Sequence, residues 1–183
     1  KDDWFSKQRQ SAFNIFQESG FPNTRQENWK YTDVKPIAKN LFSNIANSNV
    51  VINDDEIDAI LFKDLECIEL VFVNGTYSEK YSNIKDLPGN PTIKNMANAL
   101  LSDKDFLEKH LTQYVNNDSN SFTALNTAFI QDGAYINVPS DLILERPISI
   151  TYISKDNSNV FAKHHRNLIS IGENSKKTIT EKY

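Results

Sequence analysis

Over roughly residues 3–19 the apolar positions recur with a helical period. Trp4, Phe5, Ala12, Ile15 and Phe16 share one face at about 100° per residue, with Phe13 beside them, which predicts an amphipathic helix. Gly20 supplies the left-handed residue that commonly ends such a helix, and Pro22 prevents its continuation. Thr24-Arg25-Gln26-Glu27 has capping-box spacing for a second helical start. Asp33 can cap a third, with Pro36 in its first turn and Val34, Ile37 and Leu41 along one side. Trp29 and Tyr31 stand at the joint of this small helical unit. Residues 48–58, rich in Asn and Asp, predict a connection ahead of a short helix or strand.

The pattern from 68 to 81 is that of a β-hairpin. Ile68 to Val73 and Thr76 to Tyr81 flank Asn74-Gly75, a pair that tolerates the two positive φ angles of a type I′ turn. Pro88-Gly89-Asn90-Pro91 marks a loop. Helical spacing then returns: Asp103 is placed to cap a helix bearing Phe106, Leu107, His110, Leu111, Tyr114 and Val115 on one stripe, and Asn116-Asn117-Asp118 breaks it. A further helix is predicted over roughly 120–130, presenting Phe122, Leu125, Phe129 and Ile130.

After Gly133 the period changes from 3.6 to 2. Ile148, Ile150 and Tyr152 alternate with Ser149 and Thr151, Ile169 and Ile171 flank Ser170, and Ile179 and Tyr183 continue the theme. Short strands separated by polar turns, with no helix-length segment between them, suggest a sandwich, a barrel or a β-solenoid. The last strand runs into Tyr183 and would leave an unpaired edge, so the chain is expected to be part of a longer one.

Composition narrows the class. The chain has 183 residues with 39% hydrophobic and 24% charged content, in the range of an ordinary globular domain. Twenty basic against 24 acidic residues give a net charge of −4, which provides no general field for gripping nucleic acid. No apolar run approaches the ~20 residues of a membrane-spanning helix. A single cysteine, Cys67, excludes an intramolecular disulfide and a cysteine-only metal site within one copy, and a cytoplasmic setting fits best.

The candidate chemical groups each have a structural reading beside the functional one. Cys67 leads into a predicted strand, where a free thiol commonly behaves as a small buried hydrophobe. His164-His165-Arg166 offers imidazoles for a metal, yet neighbours on a strand point to opposite faces and do not easily chelate one ion. Gly172-Glu173-Asn174-Ser175-Lys176-Lys177-Thr178 lacks the second glycine of a phosphate loop and has no evident helix after it. No catalytic, cofactor-binding or metal-binding residue is assigned on these grounds. Trp29 and Tyr31 are the candidates for contact with a partner, against the alternative of a packed helix junction.

Two motif groups carry a resemblance. Gly20-Phe21-Pro22, followed by Arg25-Gln26-Glu27-Asn28-Trp29-Lys30-Tyr31-Thr32-Asp33-Val34, resembles the opening of SufD proteins. Phe122-Thr123-Ala124-Leu125-Asn126 to Phe129, then Asp132-Gly133-Ala134-Tyr135-Ile136 and Val138-Pro139, resemble that family's approach to its β-helix. Arg146-Pro147-Ile148 and His165-Arg166-Asn167-Leu168-Ile169 through Glu181-Lys182-Tyr183 resemble its first coils, although proline is expected where His165 stands. The stretch from about 45 to 115 carries little of the likeness.

The resemblance implies an α+β fold. Residues 1–131 would be a mainly helical N-terminal domain with a β-hairpin near 68–81, and 132–183 the first coils of a right-handed parallel β-helix. It implies a non-catalytic scaffold for iron–sulfur cluster assembly, joined to a SufB-like partner and, through a C-terminal region beyond Tyr183, to a SufC-like ABC ATPase. No cofactor is expected on this stretch. The iron–sulfur cluster belongs to the whole complex, no nucleic acid or membrane partner is implied, and homodimerisation is left open. The rival is a β-solenoid polysaccharide-active enzyme, which would use clustered carboxylates. Asp132, Asp141 and Glu145 supply acids, but they sit near turns and show no strand register. A free-standing metal-binding protein is a third and weaker alternative.

Overall fold

A computed structural model describes residues 4–42, 52–62, 65–155 and 161–183. Helix α1 (Trp4–Ser19) buries Phe5 and Ala12 and ends where the Gly20 N–H donates to the Phe16 carbonyl at 2.8 Å, with Gly20 at φ +62°. The capping box expected at Thr24–Glu27 does not form; Gln26 precedes a single 3₁₀ turn, Glu27–Trp29, without a side-chain cap. In α2 (Lys35–Ala38) the Asp33 carboxylate accepts from the Lys35 N–H at 3.0 Å, but the helix lasts four residues. Val34 is buried while Ile37 and Leu41 face solvent, so one short turn does not supply the expected apolar side. The capping box occurs instead at Asn53 and Glu56, whose side chains each accept from the other's backbone N–H at 2.8 and 3.0 Å, opening α3 (Asp54–Asp58).

The hairpin forms with Asn74 and Gly75 at φ +47° and +94°, joining β1 (Ile68–Val73) to β2 (Thr76–Tyr77), although the second strand is much shorter than its apolar pattern suggested. Then follow β3 (Thr92–Asn95), α4 (Met96–Ser102), α5 (Lys104–His110) and α6 (Ser121–Phe129), the last capped by the Asn120 side chain. Asp103 makes no side-chain cap to α5 and pairs with Lys94 at 2.7 Å. Leu107 and Leu111 of the expected stripe are buried; Thr112 at φ +71° interrupts the spiral and leaves Tyr114 and Val115 outside. Strands β4 (Ala134–Val138), β5 (Ile148–Ile153), β6 (Leu168–Ile171) and β7 (Ile179–Lys182) complete the order.

These strands build two sheets, and from β4 onward the chain alternates between them. The first runs β2-β1-β5-β7, with β1, β5 and β7 mutually parallel; the second runs β3-β4-β6, with β4 and β6 parallel. Their facing sides share one core, in which Ile68, Leu70 and Phe72 meet Ala134, Ile136 and Val138 as well as Ile148, Ile150 and Tyr152. Tyr135 and Leu168 point the other way, onto Phe5, Met96, Leu107 and Leu111 of the helices. Outside the first sheet, Ile52, Ile57, Ile60 and Leu61 cover Val71 and Ile153. The fold is therefore mixed α+β, with strands from both sides of residue 132 in each sheet. Among the described residues the two sheets are not closed into a barrel or solenoid.

Candidate functional site

The two aromatics of the helical joint have different surroundings. Trp29 is half-buried, its ring 5.4 Å from Phe122, which meets Phe21 at 5.7 Å, which meets Phe16 at 5.1 Å. This run of edge and tilted contacts ties α1, the Gly20-Phe21-Pro22 turn and α6 together. Tyr31 is 91% exposed, with the Lys30 ammonium 5.4 Å from its ring. Leu41, at 96% exposure, and Phe42, at 40%, lie on the same connecting stretch. Beside them a cleft of about 340 Å³ is walled by Phe21, Phe42, Leu125, Phe129, Ala162 and His164.

The remaining candidate groups do not converge. Cys67 is buried; burial pushes its thiol up from the ordinary value and the Glu69 charge adds to this, outweighing the nearby Lys177 and Arg146 charges, so the reactive thiolate is disfavoured. His164 leans on Phe129 at 5.5 Å, and burial lowers its basicity. His165 packs 4.2 Å from Tyr152, and burial, followed by the charge of Lys163, pushes it down to about 4. Among the described residues no group of three or more His, Cys, Asp or Glu is placed to hold a metal ion.

The carboxylates behave in the same dispersed way. Asp132 is 4% exposed and accepts from the Tyr77, Ala97 and Gly133 N–H groups and from the Asn95 amide, at 2.9–3.3 Å. Asp141 accepts from the Asn174 amide at 3.0 Å across the stacked turns, while Glu145 is exposed. Sequence reasoning missed the organising role of Asp132 because its donors come from positions 77, 95 and 97. It also missed Glu69, a carboxylate inside the apolar run Ile68-Glu69-Leu70-Val71-Phe72-Val73, which is itself the signal that could have found it.

Residues 1–150 match the SufBD protein N-terminal region. The chain belongs to the SufBD family. Across its whole length it is 26% identical to a SufBD family iron–sulfur cluster assembly protein of Synechocystis, of which it covers 40%. Over 98% and 97% of its length it is 24% identical to the iron–sulfur cluster assembly proteins SufD of Bacillus subtilis and Escherichia coli, covering 41% and 39% of them. The chain thus spans about two fifths of the length of these relatives, and it is the SufD-type N-terminal portion that it resembles. Placed on the structure, the SufBD-type signature around Gly20-Phe21-Pro22 and Trp29 is the aromatic run that binds α1 to α6, with Tyr31 left at the surface. Among the described residues no helix is long and apolar enough to cross a membrane.

Proposed function

We propose that this chain is the N-terminal part of a non-catalytic scaffold that works in iron–sulfur cluster assembly beside a SufB-like partner and a SufC-like ATPase. The family match over residues 1–150 carries the reading. The architecture supports it: from β5 onward each strand stacks in parallel on one before it, and the intervening turns stack too, the Asp141 and Lys176 N–H groups donating to the Glu173 and Leu142 carbonyls. We read this alternation as the opening coils of a right-handed parallel β-helix, following a helical unit that ends near residue 131 and lends β1 and β3 to the first coil. A nascent cluster is cargo of the whole complex, and no residue of this chain is assigned to it.

The acids favour the scaffold over a polysaccharide-active solenoid. Asp132 is buried among four donors, and Asp141 sits in a turn–turn hydrogen bond, so neither is poised as a free general acid or base. Tyr31, with Trp29 behind it, is the proposed contact for a partner. The test is affinity co-purification of the full-length protein expressed with its SufB-like and SufC-like partners. Elution with both supports the scaffold, whereas elution alone rejects it.

A further inference from the structure

Glu69 faces away from the main core, on the outer side of the first sheet with Val71 and Val73. It is 9% exposed, and neither carboxyl oxygen has a hydrogen-bond partner. The Cys67 thiol, just before the strand, and the Ser149 hydroxyl on β5 stand beside it, yet neither closes a bond of proper geometry. An ionised carboxylate without donors in such a place is strongly disfavoured. The surrounding cations serve other acceptors. Lys177 donates to the Leu144 carbonyl, and Arg146 to the Cys67 and Lys85 carbonyls while lying 3.5 Å from Glu66. Lys182 on β7 donates to the Ile60 carbonyl at 2.5 Å and lies 5.2 Å from the Phe62 ring.

That last bond helps to seat residues 52–62 on the sheet. Ile57, Ile60 and Leu61 pack on Val71, Val73 and Ile153, the Tyr81 hydroxyl donates to the Ile52 carbonyl, and the acids Asp54 and Glu56 pair with Lys80 and Lys155. Asp55 and Asp58 are exposed, and the neighbours of Glu69 on β5 are the neutral hydroxyls of Ser149 and Thr151. By the β1–β5–β7 register Lys182 lies on the same outer face of the sheet as Glu69, and its own acceptor is a neutral carbonyl. A carboxylate accepts roughly twice as strongly as a neutral oxygen.

We propose that Glu69 is a proton switch beside the seat of residues 52–62: as the neutral acid it lets them settle on the sheet, and as the carboxylate it draws the Lys182 ammonium off the Ile60 carbonyl and loosens them. The proton leaves to solvent, and no other bond changes. Burial holds the Glu69 carboxyl above the ordinary value, opposed in part by Ser149, Cys67 and Lys182. The folded chain therefore keeps a proton that the unfolded chain releases. Seating is firm below the ordinary glutamate range and weakens as pH rises through the raised one, by up to about tenfold in the seating constant per unit of displacement. The switch stands whether or not the assembly reading does.

Hydrogen exchange of the full-length protein tests it, with peptides covering 52–62 followed across a pH series that starts at the ordinary glutamate range, about 4, and runs to about 9, corrected for intrinsic rates. Wild-type protection is expected to fall as pH rises along the series. Glu69→Gln should keep the high value throughout, and Lys182→Met the low value throughout. Equal pH profiles for wild type and Glu69→Gln, or full protection in Lys182→Met, overturn the proposal. Should Glu69→Gln fail to fold, carbon NMR titration of the Glu69 carboxyl in the wild-type protein decides. A midpoint above the usual glutamate range upholds the switch, and one within it rejects the switch.

Discussion

At the residue scale the structure depends on polar groups that look unremarkable in sequence. Three donors from distant positions and the adjacent Gly133 N–H converge on Asp132, so its carboxylate fixes β2, the β3–α4 junction and the start of β4 at one point. Asp132→Ala leaves buried N–H groups without acceptors and is expected to lower stability by about 3 kcal/mol, measured by denaturant unfolding. His165 carries a pH dependence of the opposite sense to Glu69. Its folded value of about 4 lies below the unfolded one, so the unfolded chain binds the extra proton as acid is added. Its contribution is intact above the ordinary histidine range and is lost as pH falls toward 4. Between pH 7 and 5 wild type should lose roughly 2 kcal/mol more than His165→Phe in paired unfolding curves.

At the element scale, legibility followed how local the determining contacts are. Helix α1, its Gly20 terminus, the Asn74-Gly75 turn and α6 are set by neighbours within a few positions, and each lies where its spacing placed it. The capping box was misplaced because Thr24 and Asn53 offer the same local chemistry, and only at Asn53 does an apolar face, carried by Ile57, have a sheet to cover. In β5 Ser149 and Thr151 alternate with Ile148, Ile150 and Tyr152, and all six residues are buried, the 52–62 segment covering Ile153 on the outer side. β3 and α4 went unread: a four-residue strand and a seven-residue helix carry too little pattern. The joint between α1 and α6 separates two aromatics that sequence treated as a pair. Trp29→Ala should cost about 2 kcal/mol by removing a ring from the aromatic run. Tyr31→Ala should change stability by under about 0.5 kcal/mol while weakening capture of the SufB-like partner, read by thermal unfolding and by binding of the folded variants.

At the scale of the whole molecule, the SufBD signature and the parallel ladders describe one object from two sides. The motif groups were legible because they cluster at positions that the fold constrains: the aromatic run at Gly20-Phe21-Pro22 and Trp29, and the approach through Asp132-Gly133, where a β-carbon on Gly133 would stand 2.1 Å from the Arg166 carbonyl. Apart from the hairpin, the middle of the chain was opaque because the long-range partners of β1 and β3, which are β5 and β4, come only after residue 132. Those pairings join a helical opening to stacked strands. The most direct test is the light-scattering mass of the full-length protein purified after co-expression with its SufB-like and SufC-like partners. The scaffold account predicts one stable species containing all three proteins; a clean monomer that binds neither partner would contradict it.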